Sequence, residues 1–232
     1  MTKKIAIFVE GPTELKFTEK LIQEIVGEER IHIISGDVRN RISQAIIKSD
    51  NGEKEYFALI FHCHGDNGVK SRIKDNYESL SNNDYSLILG LRDLHPIPKD
   101  EFEKVKSKLL TGIDIDTIPV DITISVLETE AWFLKEVTHF EKIDSKLTVQ
   151  FIHNKTGIKL DSINAEDIEH PSKLLNKIYK LVGHEYKKKD WHVQITVNCL
   201  DYEEIYTNLR EQINALGRYI KAIDDFIEIE PV

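Results

Sequence analysis

An α/β fold with a mostly parallel, Rossmann-like sheet is predicted by three features of this sequence. Continuous apolar runs of strand length recur at 5–9, 56–63 and 85–91, the pattern of strands buried on both faces. Segments with apolar residues three and four apart separate them, as helices require. Beyond about Lys135 such strands disappear and helical patterning continues alone.

In chain order, Ile5 to Val9 reads as a buried strand ending at Glu10. Gly11 and Pro12 turn the chain and Thr13 opens a helix to about Val26, with Leu15, Leu21, Ile22, Ile25 and Val26 largely on one face. Ile31 to Ile34 is a short strand, and Val38 to Ser49 a weaker helix. The strand from Tyr56 to Cys63 runs into His64-Gly65-Asp66, and Lys70 to Leu80 is helical. Tyr85 to Leu91 is the next strand, closed by Arg92-Asp93-Leu94-His95-Pro96, with a helix over Lys99 to Leu110. Ile118 to Val126 is the last strand. His170-Pro171-Ser172 opens a helix to Val182 that Gly183 stops, and Asp201 caps a long final helix. The expected division is an α/β core over residues 1–135 and a helical subdomain over 136–232, docked on the core.

The totals set limits. The chain has 232 residues, 41% hydrophobic and 31% charged, with formal net charge −9. An acidic balance argues against a broad basic surface that binds nucleic acid by charge alone. It is compatible with clustered carboxylates that hold a divalent cation and reach phosphate through it. Cys63 and Cys199 are far apart and read as free thiols of a reducing cytoplasm. No apolar run approaches the roughly 18 residues that span a bilayer, so the expectation is a cytoplasmic protein without a membrane segment. A P-loop, a dinucleotide-binding glycine motif and a nucleophile elbow are all missing.

Ligands of open α/β sheets bind outside the carboxyl ends of the strands. Acids follow three of the predicted strands, at Glu10, Asp66 and Asp93, and Glu128 and Glu130 form a fourth group. On an extended chain Glu128 and Glu130 face the same way, whereas on a helix they diverge by about 200°. Glu14 is either a second acid near Glu10 or a helix N-terminal acid favoured by the dipole. Arg92 would clamp phosphate or neutralise the neighbouring acids. His62, Cys63 and His64 lack a fourth zinc ligand nearby in sequence. The basic-aromatic run Tyr186 to Trp191 reads either as a track for a nucleic-acid backbone or as a solvated loop.

The stretch Val9-Glu10-Gly11-Pro12-Thr13-Glu14, after an apolar strand, resembles the first motif of TOPRIM domains, the metal-binding α/β domain of topoisomerases, primases and the overcoming-lysogenization-defect nucleases. Glu128-Thr129-Glu130-Ala131-Trp132, Asp167 to Leu174 with its Pro171, and Tyr186-Lys187-Lys188 resemble elements of small TOPRIM-like proteins encoded beside ABC-type or AAA-type ATPases in presumed phage-defence loci. The resemblance implies that Glu10 and Asp93, with Glu128, Glu130 or Asp66, hold Mg²⁺ or Mn²⁺. It implies Glu14 as a general base and Arg92 as a phosphate clamp. His95 takes the place of the second aspartate of the Asp-x-Asp element, and imidazole suits Mn²⁺ or Zn²⁺ better than Mg²⁺. The implied activity is a metal-dependent nuclease on DNA or RNA, an antiviral effector working with an ATPase partner. A regulatory or recognition subunit with degenerate chemistry is the alternative. An enzyme of a small phosphorylated molecule is a third reading, and homo-oligomerisation is left open.

Overall fold

The computed structural model describes residues 2–37, 45–46, 54–113 and 115–228, leaving aside the side chains of Asp66 and Asn67. Most of the helix expected over Val38 to Ser49 lies outside the described residues, and of it Ala45 and Ile46 are helical and buried. Five parallel strands form one sheet in the order β2-β3-β1-β4-β5: β1 (Lys3–Val9), β2 (Ile31–Asp37), β3 (Tyr56–His62), β4 (Tyr85–Asp93) and β5 (Val120–Ser125). The fold is α/β and Rossmann-like.

Strand alternation divides the core into two layers. Ile5, Ile7, Val9, Leu89 and Leu91 face α1 (Pro12–Val26). Ala6, Phe8, Ile88, Ile122 and Ile124 face α2 (Asp66–Ser81). Full burial of each large apolar side chain stabilises by about 1.5–3 kcal/mol, so both layers are needed to hold a central strand.

Past β5 the chain is helical. After α3 (Phe102–Lys106), which precedes that strand, come α4 (Glu130–Lys135), α5 (His139–Ile143), α6 (Val149–Thr156), α7 (Pro171–Lys180) and α8 (Asp190–Cys199). The predicted helix over Lys99 to Leu110 is shorter than expected: a 3-10 turn at Lys99–Glu101 leads into α3. The long final helix is broken. It runs as α9 (Tyr202–Glu204), a π-helical turn (Ile205–Leu209) and α10 (Arg210–Gln212), then bends at Ile213 into α11 (Asn214–Ile227). The apolar period of three and four persists through the bend, because Ile213 adopts extended angles yet stays buried.

Leu175, Ile178, Val193, Val197, Tyr219 and Ile220 join α1 and the sheet in one apolar cluster. The hydroxyls of Thr18 and Tyr219 meet at 3.0 Å inside it. No helix of the described residues is long and apolar enough to cross a membrane.

The topology fixes where a ligand would bind. From β1 the chain moves to one side, through β2 and β3, and then crosses over to β4 and β5 on the other. The carboxyl ends of β1 and β4 therefore flank a topological switch point, where a crevice opens in folds of this kind.

Candidate metal centre

Glu10 and Asp93 both stand at that switch point. The amide of Glu10 donates to the Leu91 carbonyl at 3.0 Å, and Oε2 of Glu10 accepts from the Asp93 amide at 2.9 Å. Glu10 thus ties the ends of β1 and β4 through the backbone of Asp93.

The carboxylates that converge are Glu14, Asp93 and Glu130. One oxygen of each lies within 4.8 Å of the others, and all three residues are buried. Glu14 is at the third position of α1, where its Oε2 accepts from the Gly11 amide at 2.9 Å. This is the reach-back half of a capping box, and it orients the carboxylate toward the strand ends. Glu14 Oε1 is buried with no hydrogen-bond donor among the described residues.

Asp93 and Glu130 are each held by hydroxyl groups. Oδ1 of Asp93 accepts from the Thr129 amide at 3.1 Å and from its hydroxyl at 3.2 Å, at the start of α4. Oε1 of Glu130 accepts from the Tyr186 hydroxyl at 2.8 Å and from the Thr13 hydroxyl at 3.2 Å. Glu128 belongs to the same rim but to a different contact. Its two oxygens accept from the amide and hydroxyl of Ser172, at 2.9 and 3.1 Å, at the N-terminus of α7. A carboxylate is favourable there because first-turn amides are otherwise unpaired.

Among the described residues, Lys188 is the cation that faces these acids. Lys188 Nζ lies 3.2 Å from Glu128, 3.2 Å from Glu130 and 3.7 Å from Asp93. Its side chain is 41% exposed, so the ammonium sits at the mouth of the cluster and not beneath it. The titration behaviour follows. Burial, then the charges of Glu14 and Glu130, push Asp93 well above the usual carboxylate range. Burial also raises Glu130, against the pull of Lys188. Burial raises Glu128 too, but Lys188 and the Ser172 donors outweigh it and hold that carboxylate low. Burial lowers Lys188, yet Glu130, Asp93 and Glu128 together raise it. Buried like charges this close favour a proton or a cation among them.

The remaining sequence candidates are placed elsewhere. His95 is exposed and is not one of the three converging acids; its amide donates to the Leu127 carbonyl. Among the described residues Glu14, from the first helix, is the acid that joins Asp93 and Glu130. Arg92 is 6% exposed and donates through Nε to the Asp93 carbonyl. Strand alternation starts the Arg92 and Asp93 side chains on opposite faces of β4. Asp66 starts α2, and its side chain lies outside the described residues.

The run Tyr186 to Trp191 is not a uniformly solvated loop. Tyr186 is buried and Lys188 turns inward, whereas Trp191 is 62% exposed. Tyr186 and Lys188 are two residues apart on non-helical chain, so their side chains share a side. That spacing was the legible signal. Thr13, Thr129 and Ser172 carried none, since a buried hydroxyl donor looks like any other threonine or serine in sequence.

These features define a doubly wound α/β protein with a buried carboxylate cluster at its switch point, closed by a lysine from the C-terminal helical part. The chain belongs to the family described as Domain of unknown function (DUF4276), which matches residues 9–210. That match takes in every residue of the cluster. A search of curated proteins finds no match to this chain.

Proposed function

We propose that this protein is a divalent-cation-dependent enzyme that cleaves phosphodiester bonds of nucleic acid, with Glu14, Asp93 and Glu130 as the cation-holding group. The observation that carries the reading is the meeting of these three buried carboxylates within 4.8 Å. Carboxylate oxygens are the donors that Mg²⁺ and Mn²⁺ take, and Glu14 Oε1 has no competing hydrogen-bond donor among the described residues. A cation bound there would stabilise charge developing on phosphate and lower the pKa of an attacking water.

The chain's own groups supply the rest. Thr129 fixes Asp93, Thr13 and Tyr186 fix Glu130, and Glu10 anchors the Asp93 backbone. Lys188, at the mouth, is the group an incoming phosphate oxygen meets first. It would exchange its carboxylate partners for phosphate and hold the scissile group against the cluster. The likeness to TOPRIM domains supports this reading. The same likeness supports a cytoplasmic anti-phage effector working with an ABC-type or AAA-type ATPase.

One observation favours a second reading. Lys188 already pairs with Glu128, Glu130 and Asp93, which partly neutralises the cluster without a metal. A regulatory or recognition subunit of an ATPase-containing complex, keeping the fold without the chemistry, would have this appearance.

Calorimetric titration of Mg²⁺ and Mn²⁺ into wild type, Asp93→Asn and Glu130→Gln separates the two. Binding by wild type, its loss in both variants, and cation-dependent cleavage of DNA or RNA by wild type alone are the expected results. No binding by wild type, even with an oligonucleotide present, leaves the recognition-subunit reading.

A further inference from the structure

We propose that Asp37, His62 and His64 form a second cation site, suited to a transition-metal dication such as Zn²⁺, at the carboxyl ends of β2 and β3. The argument begins with strand register. Asp37 and His62 are partners on the last rung of the β2–β3 ladder, and partners on adjacent strands stand about 4.8 Å apart with side chains on the same face. His64 follows His62 by two residues. The chain turns sharply there, through a left-handed His64 (φ 58°) and then Gly65 (φ 115°). The turn folds the second imidazole back beside the first, with ring centroids 4.4 Å apart. It also brings Nε2 of His64 to 2.6 Å from Oδ1 of Asp37.

One ligating atom from each of the three residues lies within 4.8 Å of the other two. The set differs in kind from the carboxylate cluster. Two imidazoles and one carboxylate select zinc and its first-row neighbours over Mg²⁺. Among the described residues the site has three protein ligands, and three ligands with a position left for solvent are the pattern of zinc sites that carry out chemistry. Cys63 is not a fourth ligand: it is buried in the opposite layer and its thiol points at the Phe61 carbonyl. Sequence alone offers only His62 and His64, because Asp37 arrives from a different strand 25 positions earlier.

The site borders the first one. The Gly65 amide donates to the Glu10 carbonyl at 3.2 Å, so the loop that carries His64 is bonded to the loop after β1. A cation held by His64 would fix that loop against the switch point.

The test is a titration of Zn²⁺, and of Co²⁺ as its spectroscopic substitute, into wild type, Asp93→Asn, His62→Ala, His64→Gly and Asp37→Asn. His64→Gly removes a ligand at a left-handed position that glycine adopts readily, so the fold is retained. Asp93→Asn should bind one equivalent and wild type up to two, the second at the carboxylate cluster, and both should show Co²⁺ absorption bands of imidazole ligation. His64→Gly and His62→Ala should lose those bands and bind at this site at least roughly 100-fold more weakly, since loss of a group that merely supports a ligand already costs up to that much. Asp37→Asn should weaken binding in the same direction. Zn²⁺ affinity unchanged in both histidine variants, or no Zn²⁺ binding by wild type, overturns the proposal and leaves an ordinary histidine–aspartate pair.

Discussion

Lys188 Nζ lies 3.2 Å from the fully buried carboxylate of Glu130, and the two residues come from opposite sides of the division between strand-rich and helical sequence. Replacing the lysine leaves Asp93, Glu128 and Glu130 without their shared cation. For Lys188→Gln, metal-free protein should lose about 1–2 kcal/mol, below the range for fully buried pairs because the ammonium is part exposed. Mn²⁺ should restore most of that loss, since a divalent ion replaces the missing charge. Thermal melts with and without Mn²⁺ check it. Equal destabilisation in both conditions would point to lost packing instead.

Asp93→Asn should act in the opposite direction. Burial and like charges raise the ionisation point of this group, so the folded state holds the charged form at a cost. Asparagine keeps an acceptor for Thr129 and removes one repelling charge. Metal-free stability should therefore rise. Saturating Mg²⁺ should then stabilise wild type, by about 2.7 kcal/mol at a hundredfold excess over Kd, and leave the variant unmoved. Urea melts at fixed Mg²⁺ measure both effects.

Two glycines set how closely α2 approaches the sheet. A Cβ at Gly68 would overlap the Cys63 carbonyl, which is backbone and cannot yield. A Cβ at Gly90 would sit 3.0 Å from side-chain carbons of Ile122 and Val69, which can shift by tenths of an ångström. Gly68→Ala should therefore cost about 3 kcal/mol and Gly90→Ala about 1 kcal/mol, the two ends of the overpacking range. The reverse ranking in chemical denaturation would show that the helix shifts and the strand does not.

Glu136 should contribute to the fall of stability in acid. It is buried at the end of α4, where Oε1 accepts from the amide and hydroxyl of Thr138. Oε2 accepts from the amides of His139 and Asp201. Burial raises this carboxyl, but hydrogen bonds involving His139 and Thr138 outweigh it and hold it below its ordinary value of 4.5. A depressed folded value stabilises above the unfolded one, so this contribution is present above pH 4.5 and lost as pH falls through the folded value. Glu136→Ala should cost about 3 kcal/mol at neutral pH, because several buried donors lose a charged acceptor. It should also flatten the fall in stability below that pH.

The strands were readable because burial on both faces leaves continuous apolar runs: the expected Tyr56 to Cys63 is β3 but for its last residue, and the expected Tyr85 to Leu91 lies within β4, which runs two residues further to Asp93. The placement of Glu10 and Asp93 at the ends of β1 and β4 was readable because strand ends are visible in sequence, but not that Glu10 would bond the Asp93 backbone amide. Trp132 packs on Phe17 at 5.7 Å, as a core anchor does. What stayed hidden depends on distant segments. Glu14 was legible as either a second acid near Glu10 or a helix-start acid; it is the latter, through Gly11, and its approach to Asp93 was hidden because that exists only after β4 docks beside β1. The break at Ile213 was hidden because the buried stripe continues across it.

The cluster draws on residues that emerge from the ribosome at very different times. Glu14, Asp93 and Glu130 are all made before Tyr186 and Lys188. During synthesis the acids exist without the hydroxyl that orients Glu130 or the ammonium that closes the mouth. A nascent or prematurely terminated chain therefore carries the charges but not the finished site. The order of manufacture therefore makes completion of the site wait on the C-terminal helical part, whose Tyr186 and Lys188 are the last pieces to arrive.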